Sequence, residues 1–114
     1  MVALIALVAV LHLTAAENNK LFTVTPRTPI VVTLPSNAST GYHWKLTVIP
    51  AGGIVRSVSH RYVAPKSNRP GAPGKEIWRF RAAGKGGTVL GLGYVRSWQA
   101  HKPARRFVVK IRVR

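Results

Sequence analysis

The sequence predicts an all-β protein, an antiparallel β-sandwich of about seven strands. Apolar and polar residues alternate in short segments, turn residues separate these segments at intervals of roughly ten residues, and no segment has the spacing of a convincing amphipathic helix. The chain of 114 residues is 46% hydrophobic, so it has the length for one domain and the apolar content for one core.

The N-terminal segment Val2–Leu13 is an apolar run that is too short to span a bilayer. Thr14 and Ala16 place small residues at the positions required for a cut after Ala16, as in a secretory signal peptide. No Lys or Arg precedes the run, although a signal peptide normally begins with a positively charged segment. Three alternatives therefore stay open: the true start lies upstream of Met1, the segment is a weak signal, or it is a buried N-terminal helix or strand. We predict a signal peptide over residues 1–16, a domain over residues 17–114, and export to the periplasm or the medium.

Seven segments after residue 17 have the two-residue period of half-buried strands. Pro, Gly, Asn and Ser separate them, as expected for turns. The third segment is predicted to bury Tyr42, Trp44, Leu46 and Val48. The predicted strands are Leu21–Val24, Ile30–Leu34, Gly41–Val48, Ile54–Tyr62, Glu76–Arg81, Thr88–Val95 and Phe107–Val113.

The same alternation predicts which tryptophans are buried and which is exposed. Trp44 and Trp78 stand at inward positions among apolar neighbours, whereas Trp98 breaks the strand pattern beside polar residues and is expected to be exposed. Gly91 and Gly93 lie opposite the inward face of their strand, so we expect something to pack closely against them.

The inventory of reactive side chains argues against an enzyme. The acids are Glu17 and Glu76, and there is neither Asp nor Cys, so paired carboxylates, a Ser-His-Asp triad, thiolate nucleophiles, disulfides and zinc-thiolate sites cannot be assembled in this chain. Four histidines are scattered without ligand-like spacing. We therefore predict no catalytic residues, no metal and no cofactor.

The net charge of +16 raises the question of an anionic partner such as nucleic acid or a membrane. Lys and Arg occur mostly singly along the whole chain, with Arg105-Arg106 as the one adjacent pair. This distribution is more typical of solvated faces than of a dedicated basic tail.

Three loops stand out between the predicted strands: Ser36–Tyr42, Ala64–Lys75 and Arg96–Pro103. We call them the first, central and third loop. The first loop has a simpler interpretation as a plain turn and the central loop as a mobile linker, because Ser, Asn, Gly and Pro are turn residues in any protein. Long loops on rigid strands are nevertheless a common place for binding function.

Taken together, the three loops carry the motifs of a known family in the same order. Asn37-Ala38-Ser39-Thr40-Gly41-Tyr42, with Trp44 just beyond, resembles the Asn-Pro-Thr-Thr-Gly-Tyr loop of the chagasin family of cysteine protease inhibitors. Arg96-Ser97-Trp98 resembles that family's Arg-Pro-Trp loop and follows a Leu-x-Leu-x-Tyr strand. Gly71-Ala72-Pro73-Gly74 stands in place of its Gly-rich central loop, and the agreement runs from about Phe22 to Val113.

The resemblance implies an immunoglobulin-like sandwich whose three loops form a wedge for the active-site cleft of papain-like cysteine proteases. It implies reversible, non-covalent inhibition with Ser39 and Thr40 near the protease's cysteine and histidine and Trp98 as an anchor on the other side. We expect a monomer without a stable membrane anchor. The residues implied to bind the protease are Asn37, Ala38, Ser39, Thr40, Gly41, Tyr42, Pro70, Gly71, Ala72, Pro73, Gly74, Arg96, Ser97 and Trp98.

The chain departs from the family pattern in ways that bear on potency. Ala38 and Ser97 replace prolines and are expected to loosen their loops, Ser39 keeps the hydroxyl of the threonine it replaces, and Pro73 removes a backbone donor. Two other functions stay open from the residues alone. One is a basic sandwich that binds nucleic acid or another polyanion, and the other is a surface or adhesion module.

Overall fold

The computed structural model describes residues 9–99 and 101–114, which form two four-stranded sheets around a shared core. The strand order is β1-β3-β6-β5 in one sheet and β2-β8-β7-β4 in the other. This confirms the predicted all-β sandwich. The strands are β1 Leu11–Leu13, β2 Leu21–Val24, β3 Pro29–Ser36, β4 Tyr42–Val48, β5 Val55–Val63, β6 Gly74–Ala82, β7 Gly86–Arg96 and β8 Arg105–Val113.

The pairing is antiparallel except at one edge of each sheet. There, β1 runs parallel to β3, and β2 runs parallel to β8. The chain between β1 and β2 passes from one sheet to the other, and parallel neighbours cannot be joined by a tight hairpin. These two edge pairs are the parallel exceptions in the otherwise antiparallel sandwich that the eight described strands form.

The core lies between the inward faces that the alternation predicted. Phe107, Val109, Ile111 and Val113 on β8 are all at most 2% exposed. The tryptophans behave as expected, because Trp44 is 3% exposed and Trp78 packs half-buried against the core. Trp98 is 67% exposed.

One predicted core residue faces the other way. The register between β4 and β7 shifts between Leu46 and Val48, so the side chain of Val48 leaves the inward face and is 41% exposed. It covers Gly91 on the outer surface, while Thr47 and Pro103 cover Gly93. The bulge corrects the prediction for Val48 and confirms the close packing expected at the two glycines.

The segment before residue 17 takes part in the sandwich where it is described. Leu13 is 1% exposed, and a 3-10 helix, Ala15–Glu17, follows with a capping box between Thr14 and Glu17. Cleavage after Ala16 stays a prediction, and it would detach β1 from the edge of β3. Residues 1–8 of the predicted signal peptide lie outside the described residues. No helix within residues 9–99 or 101–114 is long and apolar enough to cross a membrane.

Candidate functional site

The three loops lie at the same end of the sandwich. The first loop joins β3 to β4, the central loop joins β5 to β6, and the third loop joins β7 to β8. Ser36 and Gly74, at the bases of the first and central loops, are partners in the β3–β6 ladder, and Tyr42 pairs with Arg96 between β4 and β7. The topology thus brings together motifs that are far apart in the sequence.

The first loop is a capped turn of 3-10 helix, Ala38–Thr40. The Asn37 side chain caps it by accepting hydrogen bonds from the backbone N–H of Ser39 at 3.2 Å and from its hydroxyl at 2.6 Å. The Thr40 hydroxyl donates to the Asn37 carbonyl at 2.7 Å. Gly41 closes the turn with φ at 77°, a left-handed conformation that favours glycine. These bonds hold the loop although Ala38 replaces the proline of the family motif.

Aromatic stacking joins the first loop to the third. The Tyr94 hydroxyl accepts a hydrogen bond from the Asn37 backbone N–H at 2.9 Å, and the Tyr94 ring stacks on Tyr42 with centroids 5.1 Å apart. The Arg96 guanidinium lies 4.5 Å from the centroid of the Tyr42 ring and 5.6 Å from that of Trp98. Arg96 therefore sits between the two loops instead of projecting towards solvent.

The third loop begins with a 3-10 helix, Ser97–Gln99, in which Ser97 and Trp98 are exposed. A Cβ atom placed on Gly41 would lie 3.5 Å from the Trp98 ring, so the indole rests beside the end of the first loop. The large exposed area of Trp98 remains available to a partner.

The central loop is tied to the first through Asn37, whose side-chain amide donates to the carbonyl of Gly71 at 3.4 Å. Gly71 has φ at 76° and forms the turn that reverses the loop. Pro70 and Pro73 are exposed and Ala72 is half-buried, whereas Gly74 is already the first residue of β6. The structure thus places Gly74 at the base of the loop, where a Cβ atom would come within 2.5 Å of the Tyr62 hydroxyl oxygen.

A buried carboxylate that the sequence analysis did not assign supports this end of the molecule. Glu76 is 2% exposed, and its Oε2 accepts hydrogen bonds from the Ser36 hydroxyl at 2.6 Å and the Trp44 backbone N–H at 2.9 Å. Its Oε1 lies 2.6 Å from Nε2 of His60, whose ring stacks on Trp78. Glu76 therefore connects Ser36, the first residue of the first loop, to Trp44, two residues beyond its end, and it bridges the two sheets.

The polar groups at the loop end divide into buried and exposed ones. Within residues 9–99 and 101–114 there is no group of three or more His, Cys, Asp or Glu side chains that could hold a metal ion. Glu76 lies beneath the loops, fully engaged with its three partners. What the loops offer to a partner is a small polar tip at Ser39 and Thr40 and an exposed indole at Trp98.

The fold and the three loops match those of a known protein family and of solved structures. A family model described as Chagasin family peptidase inhibitor I42 matches residues 23–113 and spans all three loops. Among solved structures, the cysteine protease inhibitor EhICP2 from Entamoeba histolytica is similar with a TM-score of 0.79 and 24% identity over 92% of this chain and 96% of its own. No curated protein sequence matches the chain significantly.

Two further solved structures share the fold. Amebosin matches with a TM-score of 0.73 and 26% identity over 91% of this chain and 97% of its own. PbICP-C, solved in complex with falcipain-2, matches with a TM-score of 0.66 and 15% identity over 92% of this chain and 98% of its own. The matches cover nearly the whole length of each similar chain.

Proposed function

The chain belongs to the chagasin family of peptidase inhibitors, and from this premise we propose that it inhibits papain-like cysteine proteases reversibly by inserting its three loops into the active-site cleft. Membership of the family makes the chain an inhibitor and not an enzyme. The choice of cysteine proteases is supported by the similarity to EhICP2 and to PbICP-C, which was solved bound to falcipain-2. The family match gives no support to a nucleic-acid-binding or adhesion function.

The observation that carries the proposal is the mutual support of the loops at one end. Asn37 contacts both the central loop, at Gly71, and the β7 residue Tyr94 that leads into the third loop. Loops that are already ordered lose less conformational entropy on docking, which favours tight binding from an interface of ordinary size.

The hydroxyl groups of the first loop are oriented as acceptors. Ser39 and Thr40 both donate their hydroxyl hydrogens to Asn37. The Thr40 oxygen also accepts from the Tyr42 backbone N–H at 3.3 Å, so a partner meets the remaining lone pairs. A protonated imidazole in the protease cleft is a hydrogen-bond donor that these oxygens can satisfy. Inhibition then requires no covalent step, because the loop occupies the space in front of the nucleophile and excludes substrate.

Trp98 is the proposed anchor of the third loop. Tryptophan is enriched among binding hot spots, and truncation of a hot-spot residue costs about 2 kcal/mol or more, which is above tenfold in affinity. The indole is positioned by the Arg96 guanidinium and by its contact with Gly41, so it needs little rearrangement to dock.

The test is a peptide-substrate assay with papain and related enzymes at increasing inhibitor concentration. We expect Trp98→Ala to raise the inhibition constant at least about tenfold. Ile49→Ala, which removes a side chain that is 76% exposed at the opposite end, serves as the control and should leave the inhibition constant unchanged. The intact mass of the inhibitor after incubation should also be unchanged.

Two results would contradict the proposal. One is the absence of inhibition of several papain-like enzymes at micromolar protein. The other is an equal change in the inhibition constant in Trp98→Ala and Ile49→Ala, because the loop end would then not form the interface with the protease.

A further inference from the structure

Three arginines meet at the end of the sandwich opposite the three loops. Arg27 lies in the turn between β2 and β3, Arg56 lies near the start of β5, and Arg81 lies near the end of β6. Together with Ala82 and Ala83 they line a cleft of about 370 Å³. The fold thus gathers cations that stand alone in the sequence.

Backbone contacts hold this cluster in place. The backbone N–H of Arg27 donates to the carbonyl of Ala82 at 2.9 Å, and the N–H of Ala82 donates to the carbonyl of Thr28 at 2.9 Å. Arg56 and Arg81 are direct partners in the antiparallel β5–β6 ladder, so their side chains leave the same face of the sheet.

The cluster is unfavourable as it stands. Like charges directly opposite each other in an antiparallel pair destabilise a sheet, and Arg27 adopts φ at 71°, which is costly for a residue with a long side chain. An unfavourable backbone that the surroundings enforce is a recognised mark of functional positions. A bound anion would offset the repulsion.

Within residues 9–99 and 101–114, no acidic side chain forms an ion pair with these arginines. Glu76 is buried beneath the loops with His60, and Glu17 belongs to a capping box with Thr14, at the same end as the loops. Because these are the two acidic side chains of the sequence, no side-chain carboxylate offsets the positive potential of the cleft.

We propose that the Arg27–Arg56–Arg81 cleft binds a small phosphate-bearing ligand. Guanidinium groups form paired, charge-assisted hydrogen bonds with phosphate oxygens, and three arginines that line one cleft suit one phosphate or pyrophosphate group. The concave shape and limited volume favour a compact ligand over a polymer. Because the cleft lies at the end away from the loops, the ligand binds whether or not the loops are docked.

The test uses inorganic pyrophosphate and the full chain labelled with nitrogen-15. We expect saturable amide shifts around Arg27, Arg56 and Arg81. The double variant Arg27→Asn/Arg81→Gln should raise the dissociation constant at least about tenfold, because two charge-assisted contacts are lost. Asparagine tolerates the left-handed backbone of Arg27, so this variant is expected to keep its fold.

The control is Lys110→Gln/Arg112→Gln, which removes the same charge from exposed positions on β8 in the other sheet. It should change the dissociation constant by less than about threefold, the scale of a screened long-range effect. Equal losses in the two double variants, shifts without saturation, or tighter binding of a duplex oligonucleotide than of pyrophosphate would each overturn the proposal.

A second arm separates the sources of the phosphate group. If the protein sediments with phosphatidylcholine vesicles that contain phosphatidic acid, and Arg27→Asn/Arg81→Gln abolishes this sedimentation, the ligand is a lipid headgroup. If the protein binds pyrophosphate but does not sediment with the vesicles, the ligand is a soluble phosphate compound. Inhibition of papain should be unchanged by saturating pyrophosphate, so this readout is independent of the proposed protease contact.

Discussion

Removal of the buried carboxylate of Glu76 should cost much of the stability of the domain. In Glu76→Ala, the Ser36 hydroxyl and the Trp44 backbone N–H both lose their acceptor in a buried region. Each unsatisfied buried donor costs about 1–3 kcal/mol, so the two lost contacts together cost about 2–6 kcal/mol. We expect a decrease of about 4 kcal/mol in the free energy of unfolding, measured by urea denaturation.

Glu76→Gln is the matched control for this variant. The amide oxygen can replace Oε2 and accept from Ser36 and Trp44, while the amide nitrogen can donate to Nε2 of His60. We therefore expect less than half of the alanine effect. A loss below about 1 kcal/mol in Glu76→Ala, or equal losses in the two variants, would refute the hydrogen-bonding role.

The same change should also weaken inhibition. Glu76 holds Ser36 at the start of the first loop and Trp44 just beyond its end, and each backbone residue that must be ordered again on binding costs about 1–2 kcal/mol. The inhibition constant of Glu76→Ala should rise by about tenfold at a temperature where the variant is folded. An unchanged inhibition constant would restrict Glu76 to a role in stability.

The remaining predictions concern two other parts of the sandwich. Gly91→Ala should lower the free energy of unfolding by about 1–3 kcal/mol, because the new Cβ would come within 2.8 Å of the Val48 side chain. Gly87→Ala on the same strand, where nothing lies within 4 Å, should have little effect, and equal urea midpoints would contradict the packing argument. Tyr94→Phe removes the acceptor of the Asn37 backbone N–H and should destabilise by about 1 kcal/mol and weaken papain inhibition several-fold. If Tyr94→Phe left papain inhibition unchanged, the hydrogen bond from Asn37 to Tyr94 would not contribute to positioning the first loop.

The strands from β2 onward were predictable because one face of each is buried and the other is solvated, which imposes a two-residue period. Leu21–Val24 was predicted with its observed bounds, and the other strands agree to within two residues at each end. The period fails at Val48, where one extra residue in β4 reverses the side chain. A bulge of this kind depends on the partner strand and leaves no local signal.

The N-terminal strand was not predictable from its own residues. Val2–Leu13 lacks alternation, and an apolar run of this length fits a buried strand or a helix as well as the predicted signal peptide. Its pairing with β3 is parallel and non-local. The tertiary contact of Leu13 decides the conformation, which no short-range pattern contains.

The candidate site was recognisable from three motifs, but the carboxylate beneath it was missed. Glu76 stands two residues before Trp78 and four before Phe80, so the alternation that placed those rings inward also placed Glu76 inward. A single acid at an inward position in a chain of 18 cations was a signal that the sequence contained. Its partners were not predictable, because they come from β3, β4 and β5.

The motif residues fall into two groups: those whose side chains already contact other residues of the loop end, and those whose side chains are exposed. Asn37, Tyr42 and Arg96 are engaged with one another or with Tyr94, so they are in place before any protease arrives. Trp98 has most of its surface free. Substitution of the engaged residues should therefore act by disordering the loops, which lowers both stability and affinity. Substitution of Trp98 should act on the complex alone, and mainly on its dissociation rate.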